Sequence, residues 1–474
     1  MSILPTPTIL IPALPPKTFI GINLVTFTST ANFHGIRDLP SGWHFLYSGS
    51  TEALSLRSGG WFYVTASGAG AGAGAAGNKG GELALTRAES APGPAPEVFI
   101  WKWDSDTETL VPLKGDNDAE RQEVLRYKAN LGVVWQAGGL FRFRSVVSPS
   151  QTKPQAQTQT QQDEQAQAQE EEEEEREAEG RRNWADLTRY LSPSLLSRIT
   201  GEAEVDADAR PRWMVTSAST ALEDSDDIPG LASSNPAGTE TSQCANDTVT
   251  KERDFAFLPI ELKRTWREGA TGRERTEAAQ DRSWALGDLI KRYSTTDTNT
   301  ADEREGELQI LGELQFTFLM ALTLLNFSCL QQWKRLLQLI LTCRGAISER
   351  EGFMRNVIRL LLLQLQRCDD LEGGLFAIDG DEGGEFLQGW LVKFARFVDE
   401  VVLVGAGSAV KTELDKLGAW VKDEYGWELH PEGIVRRGML RLEDGEEVEM
   451  DVPDDEDEET GEYAATVVDL GERF

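Results

Sequence analysis

Three helical patterns of apolar residues follow one another in the middle of the chain, between Gly312 and Leu371. Apolar residues recur three or four positions apart in each pattern, which is the spacing of a helix and not the alternation of a strand. The patterns contain, in order, Leu314, Phe318, Leu322 and Leu325; Trp333, Leu336, Leu337, Ile340 and Leu341; and Phe353, Val357, Leu360, Leu361 and Leu365. Because the first segment is apolar nearly all round, it is predicted to be a buried central helix.

A membrane-spanning role for this first segment is disfavoured. Its uncharged part runs only from Leu314 to Trp333, and polar residues such as Gln315, Asn326 and Gln332 interrupt it. A spanning helix needs roughly 20 predominantly apolar residues. The segment is therefore predicted to lie in a protein core, and no membrane contact is expected.

The N-terminal region shows strand patterns instead. From Phe19 to Val64, aromatic and β-branched clusters are bounded by glycines and prolines, which predicts short strands joined by turns. A further strand contains Phe99, Trp101 and Trp103 in alternation with Val98, Ile100 and Lys102. A turn over Asp104–Thr107 follows it. These patterns predict an α+β fold, with an N-terminal β-rich domain followed by an all-helical C-terminal domain.

Further helices are predicted outside the central stretch. They are a helix pair within Asn183–Thr200, a helix over Thr276–Lys291, and two amphipathic helices within Gly384–Val402 and Ser408–Trp427. Ser192 before Pro193 is typical of an N-cap followed by a first-turn proline. The helix over Thr276–Lys291 is expected to turn Ala279, Trp284, Leu286 and Leu289 toward the core. Trp266 and Trp284 are expected to be core residues, and anchors for a partner are the alternative.

Polar and acidic stretches divide the chain into predicted domains. The N-terminal domain covers residues 1–200, with disordered insertions at about 66–94 and 148–180, because such compositions bury too little apolar surface to offset their ordering entropy. Residues 201–252 are predicted to be an acidic linker and 253–430 a helical domain. The acidic tail, 431–474, contains a predicted hairpin around Asp444–Gly445 and a short β-prone segment, Tyr463–Leu470.

Charge and cysteine content limit the possible partners. The 474 residues include 79 acidic and 47 basic side chains, which gives a formal net charge of −32. Phosphate backbones attract basic patches, so direct binding of nucleic acid is not expected. The four cysteines form no CxxC pair, which indicates buried free thiols in a reducing compartment.

No catalytic motif stands out. The three histidines, His34, His44 and His430, lie at no metal-ligand spacing from one another or from a cysteine. His44 is expected to be a hydrogen-bonded structural residue and not a general base. No enzyme activity, cofactor or metal is expected. A nucleotide-dependent enzyme remains an alternative, because Gly72-x-Gly74-x-x-Gly77 formally matches a dinucleotide fingerprint, although a low-complexity run produces such a match by chance.

Several segments resemble a known family. The N-terminal features are Gly21, Phe33, Gly35, Pro40, Gly42, His44 and Phe45, and the later ones are Phe257–Leu286 and Gly312–Ile340, the latter with a Glu-Leu-Gln-Phe start and a Trp-Lys pair. Together they resemble the A1 cistron splicing factor family, and Phe257–Leu286 is similar to its fungal members. The matches cover both predicted domains.

The resemblance implies a pre-mRNA splicing factor, located in the cytoplasm and the nucleus, that acts as an assembly chaperone of the U5 small nuclear ribonucleoprotein (snRNP). The implied partner is the large scaffold protein of that particle, engaged through its RNase-H-like and Jab/MPN-type domains. The chaperone would hold this scaffold in a precursor state and exclude a helicase until maturation. A generic helical scaffold protein without a splicing role remains a further alternative.

Two sets of residues are candidate functional sites. The tail residues expected to bind the partner by adding a strand to an exposed sheet edge are Tyr463, Thr466, Val467, Val468 and Leu470. A frayed end, or a strand on the chain's own sheet, is the alternative. Thr220 and Ser225 are possible phosphorylation sites because of their acidic surroundings, and an unmodified solvated linker is the alternative there.

Overall fold

Two β-sheets are built from the N-terminal half of the chain. The computed structural model describes residues 6–51, 56–65, 97–146, 159–221, 255–294, 303–368, 384–403, 405, 407–430, 436–441 and 447–452. The strands are β1 (Thr8–Leu10), β2 (Phe19–Ile22), β3 (Val25–Thr28), β4 (Gly35–Arg37), β5 (Gly42–Gly49), β6 (Arg57–Val64), β7 (Val98–Asp104), β8 (Thr109–Pro112), β9 (Leu140–Arg142), β10 (Glu204–Val205), β11 (Pro211–Thr216), β12 (Arg436–Arg441) and β13 (Glu447–Val452). The strands predicted between Phe19 and Val64 and over 98–103 are confirmed.

The first sheet has the order β8-β7-β1-β4-β9 and the second has the order β10-β11-β6-β5-β2-β3. The first is mixed, because β1 pairs with β7, and β4 with β9, in parallel. The second is antiparallel throughout. β12 and β13 pair antiparallel with each other, from Arg441 opposite Glu447 to Arg436 opposite Val452, which confirms the predicted hairpin.

Alternation along β7 explains how the first sheet buries both of its faces. Phe99 and Trp101 enter a core shared with residues of the second sheet, such as Leu46 and Phe62. Val98 and Ile100, which point to the opposite face of the sheet, enter a separate core. Because successive side chains of a strand point to opposite faces, one short strand supplies both cores.

The described helices are α1 (Asp118–Gln136), α2 (Gln159–Leu187), α3 (Pro193–Thr200), α4 (Gly272–Gln280), α5 (Ser283–Arg292), α6 (Glu303–Leu324), α7 (Phe327–Leu341), α8 (Ala346–Glu349), α9 (Glu351–Leu365), α10 (Glu385–Leu403) and α11 (Ser408–Tyr425). The α+β class, with the helical region after the β-rich one, is confirmed. At α3 the predicted cap is also confirmed, because the Ser192 hydroxyl accepts a hydrogen bond from the Leu195 N–H and Pro193 opens the helix.

Helix α1 was not predicted from the sequence. Its N-cap is Asn117, whose side chain accepts a hydrogen bond from the Glu120 N–H at 2.8 Å. The Glu120 carboxylate in turn accepts the Gly115 N–H at 3.0 Å. Val124 is buried in the core on the outer face of the first sheet, and four more apolar side chains of α1 pack against that core: Tyr127, Leu131, Val134 and Trp135. Helix α1 therefore covers this face of the sheet.

The disordered insertion predicted at 148–180 is wrong from Gln159 onward, because α2 begins there. Glutamine, glutamate and alanine are good helix formers, so a run rich in them extends readily from a packed helix end. The helix is also anchored at its side. Arg144 forms an ion pair with Glu173, and the Ser145 N–H donates to the Glu177 carboxylate at 2.8 Å.

The linker predicted at 201–252 is wrong in its first part. Strand β11 pairs with β6, with Trp213 opposite Trp61. The Trp213 indole N–H also donates to the Ser197 hydroxyl at 2.9 Å. A buried tryptophan with a satisfied N–H holds this segment in the sheet, although its flanks are polar. Residues 222–254, which contain the rest of the predicted linker, lie outside the described residues.

The three central helices are confirmed. All side chains of α6 from Ile310 to Leu324 are buried. In α7 and α9 the predicted apolar residues are buried as well. Helix α6 ends at Leu324, and Leu325 adopts a left-handed conformation with φ of 56°. The predicted pattern thus extends one residue beyond the helix.

The single helix predicted at Thr276–Lys291 is instead two helices, α4 and α5, separated at Asp281. The Asp281 carboxylate accepts the Ser283 N–H at 3.0 Å and so caps the second helix at its start. Trp284 is 45% exposed, and Ala279 is exposed too. The prediction that these two residues face the core is therefore wrong. Trp266 is half-buried under the Arg275 guanidinium, 5.7 Å from the ring centroid.

The chain divides into two compact units. The N-terminal unit comprises Met1–Leu258, Ile290–Leu336 and Leu363–Asp381, and the C-terminal unit comprises Pro259–Leu289, Leu337–Leu362 and Glu382–Phe474. This division differs from the predicted boundaries at 200 and 253. It places the whole of the central helix α6 with the sheets, in the same unit as α3, whose Arg198 binds the buried Glu313 of α6.

Candidate functional site: a buried polar network on helix α6

Glu313 is the centre of a polar network within the N-terminal unit. Its side chain is fully buried, and its Oε2 lies 2.7 Å from Nη2 of Arg198 on α3. The Leu258 N–H donates to the same carboxylate at 2.9 Å. The Gln332 side-chain amide of α7 donates to Glu313 at 2.8 Å and to the Leu258 carbonyl at 2.9 Å. The carboxylate therefore joins α3, α6, α7 and the segment that leads to Leu258.

Two residues further along α6, Gln315 binds the end of α2 and its connection to α3. Gln315 is buried, and its side-chain oxygen accepts the Tyr190 N–H at 2.8 Å. Its amide nitrogen donates to the Asp186 carbonyl at 2.7 Å. Asp186 lies in the last turn of α2, where the carbonyls of a helix have no partner within the helix, and Tyr190 lies in the connection that follows. Gln315 thus supplies both missing partners.

Asn326, in the short connection between α6 and α7, has a double role. Its side-chain oxygen caps α7 by accepting the Cys329 N–H at 2.9 Å. Its amide nitrogen donates to the carbonyl of Ser219 at 2.8 Å and lies 3.2 and 3.3 Å from the carbonyls of Thr216 and Ser217. One buried side chain therefore ties the start of α7 to the end of β11.

Close backbone packing accompanies these bonds. At Gly312 a β-carbon would lie 2.7 Å from the Tyr190 carbonyl oxygen and 2.7 Å from Cδ2 of Leu195. Real β-carbons do not approach a backbone oxygen this closely. A residue larger than glycine would therefore push α6 away from the α2–α3 connection, and the hydrogen bonds of Gln315 would lengthen.

The network is suited to holding helices and strands together and not to proton transfer. Burial raises the pKa of Glu313, while the nearby Arg198 guanidinium works against this rise. Every oxygen of the carboxylate already accepts a hydrogen bond, which leaves no position for a substrate group. Among the residues that the structure describes, no cluster of histidine, cysteine and acidic side chains could hold a metal ion.

His44 lies in the core as a neutral side chain. Its Nε2–H donates to the Pro40 carbonyl at 2.8 Å, and its Nδ1 accepts from the Asn23 amide at 3.2 Å. This arrangement fixes the tautomer. Burial lowers the pKa of His44 to about 4. The predicted structural role is confirmed.

The three cysteines within the described residues, Cys329, Cys343 and Cys368, are buried thiols that form no disulfide with one another, as predicted. Burial raises the pKa of Cys343, which disfavours the reactive thiolate. Cys244 lies outside the described residues.

Most of the sequence-predicted site residues lie outside the described part of the chain. This applies to Ser225, to the Gly72–Gly77 loop and to the predicted partner-binding residues Tyr463, Thr466, Val467, Val468 and Leu470. Thr220 is described and is half-buried, and its carbonyl accepts the Phe255 N–H at 2.8 Å. Phosphorylation of Thr220 stays a prediction.

The network itself was not predicted, although the sequence contained a signal for it. Glu313, Gln315 and Asn326 are polar residues inside a segment that is otherwise apolar, and a buried polar group needs a partner. The pattern showed that partners must exist but not which residues supply them.

The fold and this network define an α+β protein in which buried polar side chains, in helix α6 and just after it, bind helices α2 and α3 and the end of strand β11 within the N-terminal unit. Two family models match the chain: the AAR2 N-terminal domain over residues 5–201 and the AAR2 C-terminal repeat region over residues 257–430. The chain belongs to the AAR2 family, the A1 cistron splicing factor family that its sequence resembles. Its similarity to fungal members stays a prediction.

Curated relatives match over part of their length. The protein named "Protein AAR2 homolog" from Homo sapiens is 24% identical over 178 residues, which are 38% of this chain and 41% of the relative. The rabbit (Oryctolagus cuniculus) protein of the same name is 25% identical over 201 residues, 39% of this chain and 52% of the relative. The chain thus spans about half or less of these relatives. No described helix is long and apolar enough to cross a membrane.

Proposed function

We propose that this protein is a pre-mRNA splicing factor that acts as an assembly chaperone of the U5 snRNP, binds the large scaffold protein of that particle and holds it in a precursor state. The observation that carries this proposal is the presence of both AAR2 regions, in order, over 5–201 and 257–430. One region alone would indicate a shared fold, whereas two in succession indicate a shared architecture.

The physical properties of the chain suit a protein partner. With a formal net charge of −32, it would be repelled by a phosphate backbone at low ionic strength. In the N-terminal unit, the hydrogen bonds of Glu313, Gln315 and Asn326 hold sheets and helices in one arrangement. A preorganised surface loses less entropy when it binds, which favours a large and specific partner.

The tail would add a second contact. We propose that Tyr463, Thr466, Val467, Val468 and Leu470 pair with an exposed sheet edge of the scaffold protein, with main-chain hydrogen bonds providing affinity and alternate side chains providing specificity. The protein would act in the cytoplasm and the nucleus, where such particles are assembled and used.

Retention of purified scaffold domains tests this proposal. The immobilised full-length chain is expected to retain the RNase-H-like and the Jab/MPN-type domains of the U5 scaffold protein. Removal of Tyr463–Phe474 is expected to lower the retention at matched salt, and removal of Gly471–Phe474 alone is the control. If neither domain is retained, the proposed function is wrong. If the two truncations behave alike, only the role of the tail is wrong.

We also propose that the protein acts without catalysis, since His44 and Glu313 are buried and have their hydrogen-bonding positions occupied. Calorimetry with dinucleotides and with ATP checks this point. Tight binding that disappears when Gly68–Gly77 is deleted would instead favour the nucleotide-dependent alternative.

A further inference from the structure

The hairpin formed by β12 and β13 has two faces of different composition. Residues directly opposite each other in an antiparallel pair share a face, and successive residues of a strand alternate between the two faces. The first face has Arg436 opposite Val452, Gly438 opposite Met450 and Leu440 opposite Val448, and the second has Arg437 opposite Asp451, Met439 opposite Glu449 and Arg441 opposite Glu447. The first face is therefore largely apolar, and the second contains two pairs of opposite charge.

The hairpin also divides its charges between its strands. All of its basic residues lie on β12, and all of its acidic residues lie on β13. Among the described residues, these two strands form a sheet of their own. A two-stranded hairpin is marginally stable at best in water, whereas three strands with an apolar face can be stable by themselves. A further strand on either outer edge would therefore stabilise this sheet.

A strand-forming sequence follows the hairpin closely in the chain. Tyr463–Leu470, here named the terminal segment, contains Thr466, Val467 and Val468, and β-branched residues of this kind favour strands. Residues 453–462 connect it to β13. A flexible connection of this length spans about 18 Å on average. The outer side of β12 lies two strand spacings, about 10 Å, from β13, so the terminal segment can reach either edge.

We infer that the terminal segment pairs with the outer edge of β12 as a third, parallel strand of this sheet. β13 ends at Val452, opposite the first residue of β12, so a short connection from that end lets the segment run in the direction of β12. Its even-numbered residues then extend the apolar face: Ala464, Thr466, Val468 and Leu470. Asp469 falls on the other face, with Arg437 and Arg441.

Charge selects this edge over the outer edge of β13. Beside β13, the same arrangement would place Asp469 on one face with Glu447, Glu449 and Asp451, and like charges on neighbouring strands are destabilising. The connection adds to this effect, because Asp454–Glu459 is acidic throughout and β12 is the basic strand. Both contributions favour β12.

Proximity favours the terminal segment over a strand from another molecule. A short flexible connection gives a tethered segment an effective concentration in the millimolar range. A second copy of the chain would also have to overcome the repulsion between two molecules of net charge −32. Pairing within one chain is therefore the expected state, and it covers an edge that could otherwise recruit other chains.

Pairing with β12 would compete with the contact proposed for the same residues on the U5 scaffold. The hairpin would hold the terminal segment until an edge of the scaffold replaces it. This competition rests on the proposed function, whereas the pairing itself does not. Hydrogen exchange of the chain alone tests the pairing without the scaffold, so the failure of one proposal leaves the other intact.

The exchange is measured on the full-length chain by mass spectrometry. The amides of the terminal segment are expected to exchange about tenfold more slowly, or more slowly still, than those of a free synthetic peptide of the same sequence at the same pH. This protection is expected to stay unchanged when the chain is diluted about twentyfold, because pairing within one chain does not depend on its concentration.

Two pairs of variants locate the pairing. Leu440→Pro removes a backbone N–H from β12 and is expected to abolish the protection, whereas Gly471→Pro, just after the terminal segment, is expected to preserve it. Asp469→Lys is expected to lower the protection about threefold, because it reverses the attraction to β12. Glu472→Lys makes the same change of charge outside the segment and is expected to have no effect.

Each alternative to the third strand gives a different exchange result, and each would overturn the inference. A terminal segment that exchanges as fast as the free peptide is unpaired. Protection that falls on dilution would identify a second copy as the source of the paired strand. Protection that survives Leu440→Pro would place the segment elsewhere in the chain, and equal effects of Asp469→Lys and Glu472→Lys would remove it from the edge of β12.

Discussion

Arg198 and Glu313 are 115 residues apart in the chain, and their side chains form a charge-assisted hydrogen bond of 2.7 Å in the interior of the N-terminal unit. Glu313 is fully buried, whereas Arg198 is 20% exposed on its side chain. Arg198 also donates to the Ala256 carbonyl at 3.1 Å. Because Ala256 precedes the segment that donates to Glu313, the pair closes a ring of contacts between α3, α6 and residues 255–258.

Arg198→Ala is expected to destabilise the fold strongly, and more so at high pH. The variant leaves a buried carboxylate without its countercharge, which costs about 3 kcal/mol or more near neutral pH. Burial already raises the pKa of Glu313, and the loss of Arg198 raises it further. Protonation then relieves the penalty at low pH, so the loss of unfolding free energy is expected to be smaller at pH 5 than at pH 8. Urea unfolding at both pH values measures it.

Arg189→Ala is the control for this experiment, because Arg189 is an exposed arginine of the same unit. Its removal is expected to change the unfolding free energy by less than about 0.5 kcal/mol at either pH. If Arg198→Ala lowers the unfolding free energy equally at pH 5 and pH 8, protonation of Glu313 does not relieve the loss of Arg198.

The sequence was sufficient for those parts of the fold whose signal is local. The helix spacing around Phe318, Trp333 and Val357 predicted α6, α7 and α9, because each helix repeats its apolar face over several turns. The alternation at Phe99 and Trp101 predicted β7 for the same reason. These patterns show which residues are buried, so they predict an element without knowledge of the residues that pack against it.

Composition misled where distant anchors decide the structure. The glutamate-rich run was predicted to be disordered, yet α2 includes it, because Ser145 and Arg144 hold one side of the helix. Strand β11 was assigned to a linker because its flanks are acidic, whereas Trp213 buries it. Arg144 and Ser145 are about 30 residues from the part of α2 that they bind, and Trp213 pairs with a strand more than 100 residues earlier in the chain. The Arg198–Glu313 pair is harder still, since pairing across 115 residues requires the tertiary structure.

Gly312→Ala is expected to destabilise the N-terminal unit by about 1–3 kcal/mol, although alanine is the better helix former. The added methyl would lie 2.7 Å from the backbone oxygen of Tyr190, which cannot move without moving the α2–α3 connection. Gly132→Ala is the matched control, because it lies within α1 with open space around the new β-carbon. That substitution is expected to stabilise by about 0.5–1 kcal/mol. Thermal unfolding of both variants measures the two changes in stability. If Gly312→Ala stabilises the protein as Gly132→Ala does, the close packing at Gly312 is contradicted.

His44→Gln is expected to reduce the dependence of stability on pH between 4 and 7. Burial lowers the pKa of His44 from 6.5 to about 4, so the unfolded chain binds a proton in this range and the folded chain does not. The stability that this histidine contributes is therefore present above pH 6.5 and is lost as the pH falls toward 4. The change amounts to roughly 3 kcal/mol over this range.

The measurement for His44 is the difference in unfolding free energy between wild type and variant at several pH values. That difference is expected to be largest at pH 7 and to shrink toward pH 4. His34→Gln, at an exposed histidine of the same unit, is the control for the loss of an imidazole outside the core. A difference for His44→Gln that stays constant with pH would mean that the buried imidazole is not held neutral.

Asn326→Asp is expected to be more damaging than Asn326→Ala at pH 7. Alanine removes the cap of α7 and leaves the Ser219 carbonyl without its donor, at a cost of about 2–3 kcal/mol. Aspartate keeps the capping oxygen, but it places a buried carboxylate against the carbonyls of Thr216, Ser217 and Ser219, which repel it. At pH 4 the aspartate can protonate and donate again, so its excess penalty over alanine is expected to diminish.

Urea unfolding of both Asn326 variants at pH 7 and pH 4 measures this order, with Asn130→Ala as a control at an exposed asparagine of α1. The control is expected to stay within about 0.5 kcal/mol of wild type. Capping alone would make aspartate the milder substitution, since aspartate is as good an N-cap as asparagine. An aspartate variant as stable as wild type would therefore show that Asn326 acts as a cap only, and that its bonds to the end of β11 contribute nothing to holding α7 against the sheet.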